Sequence, residues 1–178
     1  MALKPLKKIS SQQSELNDAS DKLIDRLQDK DLFSAKQGEV TVVSAPAGLE
    51  VDHLVLLGTG AERTLGTEET REVLSRLARK LKVMGVDDAT LELAALISKS
   101  DAETVARHLV EAVGDAGYTY VKTPKAYEHK KPGKDIKLSL CAADRKQAAL
   151  LKQGSNVGQA IDSGKTLAKD LGNMPGNV

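Results

Sequence analysis

The chain has 178 residues, 40% of them hydrophobic, and a formal net charge of +1. That is the size of one ordinary domain with enough apolar material for a core, and no global field favours nucleic acid or an anionic membrane. Aromatic residues are only 2% (one Phe, three Tyr, no Trp), so the core must be aliphatic and base-stacking platforms have few candidates.

Residues 1–15 show no helical periodicity, and Lys4, Lys7 and Lys8 are not followed by an apolar core. This stretch reads as weakly ordered and not as a signal peptide. From Leu16, the residues Leu16, Ala19, Leu23 and Leu27 share one helical face, and Asp29-Lys30-Asp31 ends the pattern. Val40-Thr41-Val42-Val43 reads as a strand, with Pro46 and Gly48 in the loop after it. His53 to Leu57 reads as a second strand, whose continuous apolar run suits coverage on both faces in a parallel or mixed sheet. After Gly66 comes the clearest helix. Thr67 can cap it, and Glu68 and Glu69 suit the positive end of its dipole. Leu74, Leu77, Leu81 and Met84 form its inner stripe, and Gly85 stops it.

Thr90 to Ala94 alternates as a strand. Ser100 and Glu103 fit a capping box that opens a helix with Val105, Leu109 and Val113 inward, closed by Gly114 and Gly117. A lysine-rich loop spans 122–134, with Pro124, Pro132 and Gly133 as breakers, and Ile136 to Cys141 alternates as a further strand. Asp144 begins a long helical region in which Val157, Ile161, Gly164, Ala168 and Leu171 repeat, with Gly154 as an interruption and Pro175 as the end. Alternating helices and strands predict an α/β fold, a three-layer sandwich on a mostly parallel or mixed sheet of about 4–6 strands. The organisation expected is a domain over 16–143 followed by a long helix and linker over 144–178.

Little in this order carries chemistry. Gly58-Thr59-Gly60 follows a strand and invites a phosphate-loop reading, in which backbone amides approach an anion. The third glycine of a dinucleotide fingerprint is replaced by Arg63, and no Gly-Lys-Ser/Thr occurs. A tight strand-to-helix connection is the plainer reading. His53, His108 and His129 lie on separate elements, with His108 expected on the polar side of its helix, so they do not make a metal site. Asp87-Asp88 is explained by turn chemistry. Asp21, Asp25 and Asp29 alternate with Lys22, Arg26 and Lys30, as on a solvated helix surface. The lone Cys141 has no internal disulfide partner and reads as a small buried hydrophobe. No apolar run approaches the roughly 18 residues of a membrane span, so a soluble cytoplasmic protein is expected. The densest positive patch is Lys122, Lys125, Lys130, Lys131, Lys134 and Lys137 beside Tyr118, Tyr120 and Tyr127. It is either a surface for an anionic partner or a lysine-rich loop that keeps an edge soluble. No catalytic, cofactor-binding or metal-ligating residue is assigned.

Four stretches carry a likeness to one family: "LNDASDKLIDRLQDKDLFSAKQGEVTVV" from Leu16, "VDHLVLLGTGAERTL" from Val51, "GYTYVKTPK" from Gly117 and "GKTLAKDLGNMPGNV" from Gly164. Over residues 16–178 the chain resembles the N-terminal domain of bacterial leucine aminopeptidase, also called leucyl or cytosol aminopeptidase. It departs from the family at residues 1–15, which are polar and basic where members have an apolar strand. The resemblance implies a macrodomain-like α/β domain on the outside of a homohexamer. It also implies that the intact enzyme uses two divalent metals (manganese or zinc) to release N-terminal residues, leucine preferred, from peptides. The family's catalytic and metal-binding motifs find no match here and are expected beyond Val178, in a catalytic domain that would be this chain's partner. An isolated chain is therefore expected to be inactive. Two alternatives are a stand-alone module binding ADP-ribose or a related nucleotide at Gly58 to Gly60, and a DNA-binding accessory surface at Lys122 to Lys137.

Overall fold

The computed structural model describes residues 11–60, 64–123 and 135–174. The elements run α1 (Ser11–Ala19), α2 (Leu23–Asp29), β1 (Val40–Ser44), β2 (His53–Leu57), α3 (Thr67–Met84), β3 (Asp88–Leu91), α4 (Ala94–Ile97), α5 (Ala102–Gly117), β4 (Lys137–Leu140) and α6 (Arg145–Asn173). The α/β class holds. Among the described residues, however, the strands form two separate two-stranded sheets and not one sheet of four to six. β1 and β2 pair antiparallel, Val40 opposite Leu57 and Ser44 opposite His53. β3 and β4 pair parallel, Asp88 opposite Lys137 and Leu91 opposite Leu140, with α4 and α5 in the crossover.

The apolar run of β2 is covered on both faces, as its composition predicted, although its partner is antiparallel. Leu54 and Leu56 join Ile24, Leu27 and Phe33 in a small cluster under α2. Val55 and Leu57 turn the other way, onto the main core of Leu74, Leu77, Leu81, Leu96, Val105 and Leu109. Alternation along a strand is what lets one element serve two clusters. Ala89, Leu91, Leu138 and Leu140 of the second sheet also pack on that main core, so both sheets share it.

α3 forms as its sequence dictates. Thr70, Val73, Leu74, Leu77, Ala78 and Leu81 are buried at helical spacing, and Gly85 ends the helix in the left-handed region at φ 67. Its cap is not Thr67. The helix starts after Gly66, whose N–H donates to the Glu69 carboxylate at 2.9 Å. The helix expected from Leu16 is two helices. Asp21 and Lys22 both adopt positive φ and break it, and Asn17 repairs the break. The Asn17 Oδ1 accepts from Ile24 N–H at 2.9 Å, and its Nδ2 donates to Asp25 at 3.0 Å.

Two further boundaries differ. The strand placed at Thr90 to Ala94 runs instead from Asp88 to Leu91, because Glu92 accepts the Ala94 N–H at 2.7 Å and turns the chain into α4. The cap of α5 is Asp101, accepting Thr104 N–H at 2.7 Å, one residue past the expected Ser100. Gly154 does not interrupt α6, which is a single helix of 29 residues, about 44 Å at 1.5 Å per residue. Asp144 caps it by accepting Gln147 N–H at 2.7 Å.

Candidate functional site

The glycine loop is held by hydrogen bonds from both sides. The Gly58 N–H already donates to Glu39 O at 2.7 Å and the Gly60 N–H to Ala35 O at 3.0 Å. Neither of those two amides is turned towards an anion. The carbonyls of Thr59 and Gly60 instead receive the Lys99 ammonium at 3.1 and 2.8 Å, with the Thr59 hydroxyl at 3.2 Å. Gly58 is required by close approach, since a Cβ there would sit 2.1 Å from Lys36 O. The loop therefore locks the end of β2 to the segment before β1 and to the end of α4.

Of the histidines, His53 lies on β2 and His108 on α5. His53 is exposed beside Ser44 at 3.2 Å. His108 corrects the expectation of a polar-side residue, being only 2% exposed. Burial, helped by the Arg107 guanidinium, holds its imidazole below the ordinary value, so it is neutral near pH 7. His129 lies outside the described residues, as do Lys125, Tyr127, Lys130, Lys131 and Lys134 of the lysine-rich loop and Arg63 after the glycine pair. At the loop's near end, the Lys122 ammonium is 3.7 Å from Asp170. The Asp21 to Asp29 surface is partly as read, since Asp21 pairs with Arg26 at 2.8 Å in the open. Among the described residues no group of three or more His, Cys, Asp or Glu could hold a metal ion.

A chain of polar contacts runs along the seam of α5 and α6, where the sequence had marked Tyr118 and Lys122 but none of the carboxylates. The two helices run side by side in the same direction. At its start α6 lies against backbone. A Cβ on Gly154 would meet Glu103 O at 2.1 Å, and one on Gly158 would meet Arg107 O at 2.7 Å. Further along, the seam becomes ionic. Lys165 donates to Asp115, Lys169 donates to Asp115 at 2.6 Å, and Lys165 also lies 3.9 Å from Glu111. At the end, Tyr118 donates its hydroxyl to Asp170 at 3.0 Å and Asn173 donates to the Tyr118 oxygen at 3.3 Å, while Lys169 stands 4.8 Å from the Tyr118 ring centroid. The signal was present in the spacing. Glu111 and Asp115 are four apart on α5, and Lys165 and Lys169 four apart on α6, each pair on the face that carries its helix's contacts.

Asp115 and Asp162 titrate in opposite senses. Burial would raise Asp115, but hydrogen bonds from Lys165 and Lys169 outweigh it and hold the carboxyl below the usual range. Asp162 sits on Gly114, and its Oδ1 is buried without a hydrogen-bond partner. Burial first, and the Asp115 charge second, raise its pKa. A carboxyl raised in the folded state costs stability when it is charged, at pH above its folded value. The cost disappears as pH falls below the unfolded value. Asp162→Asn should therefore melt higher than the parent at pH 7, with the difference closing towards the ordinary carboxylate range near pH ~4. Thermal melts at both pH values check this, and a gain that is equal at both would contradict it.

Comparison with known proteins places the whole arrangement. A family model described as the cytosol aminopeptidase family, N-terminal domain, matches residues 3–125. The cytosol aminopeptidase of Pseudomonas aeruginosa strain PAO1 is 34% identical over 175 residues, covering 97% of this chain and 34% of its own. A probable cytosol aminopeptidase of Nitrosococcus oceani is 32% identical over 173 residues, with 96% and 34% covered. Among solved structures, a tomato leucine aminopeptidase mutant superposes with a TM-score of 0.66 at 14% identity, over 99% of this chain and 34% of that one. The bottromycin maturation enzyme BotP, in complex with Mn, gives 0.59 at 20% identity, over 84% and 29%. At such identities the superpositions speak for the fold alone. The chain spans about a third of the length of the relatives it matches.

Proposed function

We propose a non-catalytic, architectural or regulatory role for this chain, which belongs to the cytosol aminopeptidase family as its N-terminal domain. The observation that carries the reading is the match of residues 3–125 to that domain. The family is one of metal-dependent aminopeptidases. Among the described residues no group of three or more His, Cys, Asp or Glu could hold a metal, and Asp115 and Glu111 already face Lys165. In the intact protein, two divalent ions, manganese or zinc, would be held by the remainder and would polarise the scissile carbonyl of a peptide at its N-terminal residue.

The division proposed is a macrodomain-like body over 16–143, followed by a long helix and linker over 144–178 that lead towards a catalytic domain. The shared core under both sheets supports the single body. The outer face of α6 supports the connection. Val157 and Ile161 are 38% and 37% exposed, and Leu167 and Leu171 are 60% and 59%. An apolar face left open along a helix suits packing against a further unit. A homohexameric assembly in the cytoplasm completes the proposal. The names of the relatives support the compartment, and no described helix is long and apolar enough to cross a membrane.

A three-way comparison tests the role: the Pseudomonas aeruginosa enzyme, the same enzyme without the stretch this chain matches, and a chimera in which this chain replaces that stretch. The deletion should lose the parental molecular mass in light scattering, and the chimera should recover it. A deletion that assembles and hydrolyses peptide like the parent would overturn the architectural reading.

A further inference from the structure

We infer that α6 is a lever held in two different ways. Its first half is fused to α5 by backbone-close packing, and its second half is shut onto α5 by an ionic clasp centred on Asp115 that opens when charge is screened. This inference stands on the α5–α6 geometry and does not depend on what the helix connects to.

The buried residues of α6 are Leu151, Gly154 and Gly158, all in its first half. Leu151 joins Ala102, Ala106, Ile97, Leu140 and Ala142 in an apolar cluster, and the two glycines let the helix rest on the α5 backbone. Contacts of this kind are short-ranged and indifferent to salt. Beyond Gly158, the described residues of α6 are tied to α5 and the residues after it through a run of polar contacts. Lys165 and Lys169 reach Asp115, Lys165 reaches Glu111, and Asp170 takes Tyr118 and Lys122. One group opposes closure: the Asp162 carboxylate, pressed onto Gly114 with an oxygen that nothing satisfies.

The clasp is open enough to solvent to be screened, with the side chains of Lys165 and Lys169 at 34% exposure and Asp115 at 43%. Ion pairs of that exposure are individually weak and fall with salt. Once they are lost, the second half of α6 has no apolar anchor among the buried residues, and its helix can fray from the C-terminal end. Opening would also re-aim Leu167 and Leu171, the most exposed large apolar side chains of the helix. Ionic strength would then control where that face is presented.

Hydrogen–deuterium exchange on the full chain at ~20 mM and ~500 mM NaCl reads this directly. Amides of residues 162–173 should exchange about five- to tenfold faster at high salt, the change expected from losing one or two weak ion pairs. Amides of 147–158 and of α3 should stay put. Asp115→Asn should give the fast rate already at low salt, with little further response, and Asp115→Glu should keep the parental behaviour. Equal rates in 162–173 at both salts would overturn the clasp, as would both halves accelerating together. The salt comparison on the unaltered chain decides the matter even if Asp115→Asn does not fold.

Discussion

Leu109→Ala should lower the unfolding free energy by about 2–5 kcal/mol, the range for large-to-small changes at fully buried sites. Leu109 is 0% exposed on the inner face of α5. It belongs to the main core cluster with Leu74, Leu77 and Val105, on which both sheets pack. The loss has two parts: the transfer free energy of the removed carbons, and the cavity that the rigid α3–α5 contact cannot collapse to fill. With total stability of a domain near ~5–15 kcal/mol, one such change removes a large fraction of it. Leu167→Ala is the control, because Leu167 is 60% exposed and should cost no more than about 0.5 kcal/mol. Urea unfolding of the three proteins separates the cases. A cost below ~1 kcal/mol for Leu109→Ala would mean that the core is not organised around α3 and α5 as described.

The second large effect is at Gly154. Alanine there would place a methyl carbon 2.1 Å from the backbone oxygen of Glu103. That oxygen belongs to the first turns of α5, so it cannot rotate aside as a side chain would, and the helices must separate. Overpacking of this kind costs about 1–3 kcal/mol, and more when backbone has to move. Helix propensity alone argues the other way, since alanine is favoured over glycine by about 1 kcal/mol in a helix interior. The sign of the measured change therefore decides which effect rules. Gly164→Ala isolates propensity, because nothing lies within 4 Å of a Cβ there, and it should stabilise by up to ~1 kcal/mol. A stabilising Gly154→Ala would show that the two helices do not meet at backbone distance.

The elements whose burial is periodic were legible from the sequence. α3 announced its buried face through Leu74, Leu77 and Leu81, and the two strands at 40–44 and 53–57 through their β-branched and apolar runs. What stayed hidden depends on pairing across sequence distance. Nothing local to Thr90-Leu91 shows that β3 will pair parallel with Ser139-Leu140, or that the four strands divide into two sheets. Local caps were missed by a single residue at Asp101 and Gly66, where two neighbouring residues each had the chemistry to cap. Gly154 looked like a break because glycine is a poor helix former. Its reason is a close approach that only the position of α5 reveals. The glycine pair at 58 and 60 left an anion cradle open beside the plainer reading of a tight connection, because sequence shows which residues are glycine and not which way their amides point. The carboxylates of the seam were not marked because its charges, read one helix at a time, resemble an ordinary solvated face.

The chain belongs to the cytosol aminopeptidase family as its N-terminal domain, and the non-catalytic role is a proposal that a direct assay tests. The most direct measurement is hydrolysis of leucyl p-nitroanilide by the purified 178-residue chain, with manganese or zinc added. No turnover above the metal-only blank is expected. Turnover that stays with the chain through repurification, in constant proportion to its concentration, would contradict it.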